Sequence, residues 1–218
     1  MNMSTITHSN RRNFLKISAS ISGGLFLGFN WSDTEAGGME LLSPELAAGD
    51  INFNSYLAIS PEGLVTIFSP NPEVGQNIKT SFPMIVAEEL DADWATVKIV
   101  QASLDNKRYE RQLTGGSGAI PHSWERLRKA GATARYLLVE AAAKRWGVPS
   151  SSLSTEKGKV WHKETGRSLT YGELATEASA IELPAEVKLK DRKDFKLIGT
   201  AVRNVDNLDI TTGRPLFG

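Results

Sequence analysis

Apolar and polar positions along the chain switch several times between a two-residue and a three-to-four-residue period, and each switch marks an element. Asn54-Ser55-Tyr56-Leu57-Ala58-Ile59 and Leu64-Val65-Thr66-Ile67-Phe68 flank Ser60-Pro61-Glu62-Gly63, so two β-rich runs around a Pro/Gly turn predict a β-hairpin. Ser69-Pro70-Asn71-Pro72 cannot continue a ladder and is read as loop. From Asn77 to Leu90 the positions Phe82, Ile85, Val86 and Leu90 form a moderate helical stripe, interrupted by Glu89. Pro83 is tolerated there if it lies in or near the first turn. Glu88-Glu89 is read as a solvated helix edge with one partner in the packing. Asp91 to Trp94 forms the exit turn, and Val97 to Ala102 reads as a strand.

The longest helix is expected from Ser123, as N-cap, to Trp146. Trp124, Leu127, Gly131, Ala134, Leu138, Ala141 and Ala142 recur at three- and four-residue spacing. Most of that stripe is small, which predicts close packing against a sheet or another helix. Gly147-Val148-Pro149 ends it. A second hairpin pairs Gly158 to His162 with Arg167 to Leu169 across Lys163-Glu164-Thr165-Gly166. Thr170 then caps a short helix through Ala178, with Glu173 completing a capping box. From Pro184 to Gly218 the chain is charged and irregular and reads as a connector. This order of elements is a mixed α+β fold.

Composition narrows the function classes. The formal net charge is zero, from 25 basic and 25 acidic residues, which argues against a nucleic-acid binder with a basic surface. The chain has no cysteine, so disulfides, thiolate catalysis and cysteine-ligated iron–sulfur clusters are excluded within it. Any iron–sulfur centre belongs on a partner.

The N-terminus changes the picture further. Asn10-Arg11-Arg12-Asn13-Phe14-Leu15-Lys16 precedes a weakly apolar run from Ile17 to Phe29, the pattern of a twin-arginine export signal. As a helix that run would rise about 20 Å, short of a bilayer core of about 30 Å. The expected location is the periplasm, with export in the folded state. The missing Ala-x-Ala site leaves membrane association through an uncleaved signal open.

Two glycine-containing loops precede helices: Glu73-Val74-Gly75-Gln76-Asn77-Ile78-Lys79-Thr80 and Thr114-Gly115-Gly116-Ser117-Gly118. A helix N-terminus offers unpaired N–H groups and partial positive charge, and glycine permits close approach of a phosphate. Gln76 adds an amide that donates and accepts. Each loop alone is more often just a turn, and neither fits a P-loop or a Rossmann fingerprint. His8, His122 and His162 show no metal-ligand spacing, and a helix-start histidine such as His122 is read as exposed. No catalytic triad or acid/base carboxylate pair can be assigned.

The ordered blocks Glu73-Val74-Gly75-Gln76 … Thr80 … Pro83-Met84-Ile85-Val86-Ala87-Glu88-Glu89-Leu90-Asp91, Thr114-Gly115-Gly116-Ser117 … Ser123-Trp124 … Leu127-Arg128 … Ala130-Gly131-Ala132, Tyr171-Gly172-Glu173-Leu174-Ala175 and Phe195-Lys196-Leu197-Ile198-Gly199 … Arg203 … Asp206 carry a resemblance. Together they resemble the molybdopterin-binding large subunit of the xanthine dehydrogenase/aldehyde oxidase family, isoquinoline 1-oxidoreductase beta-subunit type. The resemblance implies that Gly75, Gln76, Asn77, Thr80, Thr114, Gly115, Gly116 and Ser117 contact the pterin and its phosphate or nucleotide tail. It implies molybdopterin cytosine dinucleotide with molybdenum as cofactor, the remainder of the large subunit and a small [2Fe-2S] subunit as partners, and a cytochrome as one acceptor it allows. Such subunits hydroxylate aldehydes or N-heterocycles with water-derived oxygen.

Two positions depart from the family pattern. Asn77 stands where the third residue of Gly-Gln-Gly is usual, and Gly118-Ala119-Ile120-Pro121 replaces small hydroxylated residues. The domain reading is residues 1–38 as signal and linker, 51–183 as a partial molybdopterin-binding α+β domain, and 184–218 as a connector into a truncated hammerhead-like α/β domain. The resemblance places the family's general base beyond residue 218. The alternative is a non-catalytic exported α+β remnant or interaction module.

Overall fold

A computed structural model describes residues 18–19, 25–26, 51–105 and 108–214. The paired arginines Arg11-Arg12, expected to belong to an export signal, lie outside the described residues. The strands are β1 (Ser18–Ala19), β2 (Leu25–Phe26), β3 (Ile51–Asn54), β4 (Leu57–Ile59), β5 (Val65–Ser69), β6 (Lys98–Gln101), β7 (Leu153–Glu156), β8 (Lys159–His162) and β9 (Arg167–Thr170). The helices are α1 (Ile78–Leu90), α2 (Ala119–Trp146), α3 (Tyr171–Ser179) and a short α4 (Asn207–Thr211). β1 to β6 form one sheet in sequence order, and β7 to β9 form a second, antiparallel one. The fold is α+β, as expected. Among the described residues no helix is long and apolar enough to cross a membrane.

The first predicted hairpin is present as β4 and β5, paired from Leu57↔Ile67 to Ile59↔Val65. Its first strand does not run from Asn54, because Ser55 and Tyr56 turn the chain between β3 and β4. β5 then pairs in parallel with β6, and a parallel pair needs a crossover, which α1 supplies. Every residue of β5 is buried, Thr66 and Ser69 included, so the strand is covered on both faces. Pro83 lies in the second turn of α1 rather than the first. The capping box at Thr170 and Glu173 forms as predicted. β7 was not anticipated, because its turn at Lys157 and Gly158, both at positive φ, lacks the Asn-Gly or Asp-Gly signature.

Residues of α1 and α2 make the central layer contact. Phe82, Val86, Leu90, Leu127, Leu137 and Leu138 are fully buried between them and the sheets, each worth roughly 1.5–3 kcal/mol of burial. The small-residue stripe of α2 packs tightly, as its composition predicts. A Cβ at Gly131 would sit 2.3 Å from the Val86 carbonyl oxygen and 2.9 Å from Glu89 Cβ. The helix begins at Ala119, four residues before the predicted Ser123 cap. Pro121 fits its first turn, where no N–H is needed, and Ser123 is buried in the second.

Glu88 and Glu89 overturn the solvated-edge reading: they are 2% and 0% exposed. Glu89 meets the guanidinium groups of Arg128 (2.6 Å) and Arg135 (3.6 Å) and accepts from the Lys190 backbone N–H. Glu88 accepts from the backbone N–H groups of Lys196 (3.0 Å), Leu197 (2.6 Å) and Ile198 (2.9 Å) and from Lys190 Nζ (3.1 Å). The irregular segment after Pro184 therefore carries little secondary structure but is fixed to α1 through buried charge. Burial acts to raise the Glu88 carboxyl pKa. The N–H groups of Ile198, Leu197 and Lys196 and the Lys190 ammonium outweigh it and hold the pKa below the usual glutamate range.

Gly131→Ala is expected to push the two helices apart and cost about 1–3 kcal/mol, measured as a lower urea midpoint at unchanged slope. Glu88→Ala strands three backbone amides and leaves the Lys190 ammonium to Asp91 (2.7 Å), with an expected loss of about 3–5 kcal/mol in the same assay. In the unmutated chain the Glu88 contribution is present above the ordinary glutamate pKa and is lost as pH falls through the lowered folded value. The protection of the residue 196–198 amides, taken relative to the intrinsic exchange rate at each pH, should therefore fall only in acid. Protection there that does not change in acid would contradict the assignment.

Candidate functional site

The loop from Glu73 to Asn77 is organised from within by Glu73. One of its carboxylate oxygens accepts from the N–H groups of Gly75 (2.7 Å) and Asn77 (3.1 Å), and the other from Lys79 N–H (2.9 Å). Lys79 belongs to the first turn of α1, so Glu73 serves as a cap from outside the helix. Partial burial opposes its charge. The backbone N–H groups of Lys79, Gly75, Asn77 and Gln76 overcome that and hold the carboxyl below the usual glutamate range. The positive end of α1 thus faces an internal anion, and the open N–H groups expected of this helix are in part already taken.

Gln76 uses both ends of its amide, as its chemistry suggested. Its oxygen accepts from Val74 N–H (2.7 Å), and its nitrogen donates to the Pro72 carbonyl (2.9 Å) and to Thr114 Oγ1 (3.3 Å). Thr114 donates in turn to the Pro72 carbonyl (2.6 Å). The two glycine loops, far apart in sequence, are therefore joined side by side. Gly75 and Gln76 are exposed.

Asn77 and Thr80 face elsewhere. Asn77 takes the left-handed backbone that asparagine tolerates (φ 66°), and its side-chain oxygen accepts from the Asn204 amide. Thr80 is buried, and its hydroxyl accepts from Val205 N–H (3.1 Å).

The second loop presents a different end. Gly115, Gly116 and Ser117 are exposed, with Gly116 and Ser117 at φ 62° and 51°. No side chain caps α2 at Gly118. Among the described residues the N–H groups of Gly116, Ser117, Ala119 and Ile120 find no backbone partner. A Cβ built at Gly115 or Gly116 meets no atom within 4 Å, so the approach is open. Arg111 Nη1 stands 3.5 Å from the Cβ position of Gly118. His122 is exposed, with Nδ1 2.6 Å from the Gly118 carbonyl oxygen. A long helix with an unneutralised N-terminus, glycine access and a nearby guanidinium suits an anion such as phosphate.

Among the described residues no group of three or more histidine, aspartate or glutamate side chains could hold a metal ion. His162 is buried against Thr165 (2.7 Å). The sequence pattern did not single out Glu73, Arg111 or Asn204 as shaping the loops. Glu73 two residues before Gly75, in a loop entering a helix, was the one local signal.

Residues 38–212 match the molybdopterin cofactor-binding domain family. The chain belongs to that family. The chain is 37% identical to the beta subunit of isoquinoline 1-oxidoreductase from Brevundimonas diminuta over 180 residues, 80% of this chain and 22% of that protein. It is 34% identical to a nicotinate dehydrogenase subunit of Pseudomonas putida over 160 residues, 72% of this chain and 13% of that protein. Quinoline 2-oxidoreductase from Pseudomonas putida 86 superposes with a TM-score of 0.46 at 21% identity, covering 59% of this chain and 17% of that one. This molybdopterin-binding-family chain thus spans about a fifth or less of the length of the curated relatives it matches.

Glu73→Ala removes the acceptor for two loop amides and one in the first turn of α1, and is expected to cost about 0.5–2 kcal/mol, the range of a lost helix cap. Amide exchange at Gly75, Asn77 and Lys79 should rise, while that of the β5 strand stays unchanged. Because the Glu73 pKa is lowered on folding, the wild-type loop should loosen the same way only as pH falls through that value. Equal exchange in wild type and variant would reject the capping role.

Proposed function

We propose that this chain is a portion of a molybdenum hydroxylase large subunit whose two joined glycine loops hold the molybdopterin. The observation that carries this reading is the uncapped N-terminus of α2 behind Gly115-Gly116-Ser117, in a chain of the molybdopterin cofactor-binding family. In this reading the backbone N–H groups of Gly116, Ser117, Ala119 and Ile120 take the phosphate of the cofactor or its dinucleotide tail. Thr114, Gly115 and the Gly75-Gln76 turn supply the polar wall beside it. Asn77 and Thr80 shape that wall from behind. The cofactor is the cytosine dinucleotide form, as in the isoquinoline oxidoreductase type. When bound, molybdenum supplies the oxygen transfer to an aldehyde or N-heterocycle and accepts the electrons. The chain's own residues bind and orient.

The partners in this proposal are the remainder of the large subunit and a small [2Fe-2S] subunit, with a cytochrome as a further acceptor. In this reading the protein is exported folded to the periplasm by the twin-arginine route, with membrane association if the signal stays uncleaved; Arg11-Arg12 and the run to Phe29 support it.

Ser117→Asp tests the binding role with opposite signs in two assays. A carboxylate there complements the N-terminus of α2, so thermal stability should hold or rise. It also repels phosphate, so pterin content should fall at least tenfold, about 1.4 kcal/mol. Both are measured on protein co-expressed with a polypeptide carrying the remainder of a large subunit, with pterin quantified by fluorescence after oxidation. Unchanged pterin content would refute the site. A wild-type complex free of pterin would leave the interaction-module alternative.

A further inference from the structure

The first turn of α1 has a second attachment, independent of Glu73. Asn204, Val205 and Asp206 lie across it. The Asn204 amide nitrogen donates to Asn77 Oδ1, and its oxygen accepts from Asp206 N–H (2.8 Å) and lies 3.5 Å from the Thr80 hydroxyl. Val205 N–H donates to Thr80 Oγ1 (3.1 Å), and Lys79 Nζ pairs with Asp206 Oδ1 (2.7 Å). Thr80 and Asp206 are buried at 5% and 7% exposure. Three consecutive tail residues therefore each bond to one of the first residues of the loop-to-helix junction.

The geometry points to a positioning role for this tail, and we propose that Asn204 is a positioning residue for the Gly75-Gln76 loop. Asn77 sits at φ 66°, a left-handed backbone that asparagine tolerates less readily than glycine. Glycine would adopt it freely, yet asparagine stands there, and its side chain is the one that meets Asn204. The side chain at this position thus has a partner within the chain, and that partner fixes the orientation of the peptide following Gln76. Upstream the tail is held by Glu88 at residues 196–198, and the link between, Gly199 to Arg203, is largely exposed. It is a strap fastened at two points, the second of which is the loop junction. This deepens the proposed function, since the loop it positions is one of the two assigned to the cofactor. The contacts themselves do not depend on that assignment.

The consequence is thermodynamic coupling: releasing the strap loosens the loop, and loosening the loop at Asn77 releases the strap. Tryptic cleavage after the exposed Arg203 reports strap release, and amide exchange at Gly75 to Asn77 reports the loop. Both are read on the complex described above, without reference to activity. Asn204→Ala is expected to raise cleavage after Arg203 at least fivefold and to accelerate exchange at Gly75 and Asn77 by a similar factor. Thr80→Val, which keeps the shape and removes the acceptor of Val205 N–H, should move both readouts the same way. Asn77→Gly added to Asn204→Ala should add less than twofold, because both remove one bond. Faster cleavage with unchanged loop exchange would overturn the inference, as would multiplicative effects in the double variant. If Ser117→Asp loses pterin while Asn204→Ala leaves loop exchange unchanged, the functional reading stands and the positioning role falls.

Discussion

Two neighbouring carboxylates that water does not reach, Glu88 and Glu89, set the constraint on which the rest of the structure depends. A buried charge must find partners or it destabilises the fold by several kcal/mol. Consecutive residues of a helix point about 100° apart, so the pair meets two partner surfaces that touch only at Lys190, whose backbone N–H reaches Glu89 and whose ammonium reaches Glu88. Glu89 turns to α2, where Arg128 also lies 5.6 Å from the ring centroid of Trp124 and 5.3 Å from that of Phe195. Glu88 turns to the tail and gathers three successive backbone N–H groups. α1 thereby fixes α2 on one side and residues 190–198 on the other. Gly131 permits that arrangement by letting α2 approach the backbone of α1 closely enough for Arg128 and Arg135 to reach Glu89.

With both held, the two glycine loops fall next to each other, and their electrostatics differ. The N-terminus of α1 is met by Glu73 and further occupied by the tail at Asn77, Lys79 and Thr80. The N-terminus of α2 has no side-chain cap and an open glycine approach. One motif type has therefore produced a closed end and an open one. That difference divides the proposed cofactor contacts between side-chain support from Gln76 and Thr114 and direct anion binding at Gly116 to Ile120.

Much of the architecture was legible because it rests on local chemistry. The β4–β5 hairpin follows from a Pro/Gly turn between β-branched runs, and α3 follows from Thr170 and Glu173 in a capping box. The small-residue stripe of α2 announced its close packing. The ordered blocks around Gly75, Gly115, Tyr171 and Phe195 carried the family, and the match over residues 38–212 agrees with them. Misreadings arose where a distant contact outweighs a local preference. Ser123 has the chemistry of a cap, but Pro121 already suits the first turn and Ser123 is needed inside, where Arg126 donates to it. Glu88-Glu89 looks like a solvated pair until residues 39 to 110 positions away supply its partners.

The sequence by itself determined most of the elements and the two glycine loops, because turns, caps and periodicity are set by residues within a few positions of one another, and its ordered blocks carried the resemblance to the family. Only the tertiary structure decided that Gln76 and Thr114 join the loops, that Asn77 and Thr80 turn toward the tail, and that one helix end is filled while the other stays open. The reason is physical. A carboxylate or amide is as stable in water as in a well-made bond, and which it obtains depends on where the fold brings the complementary group.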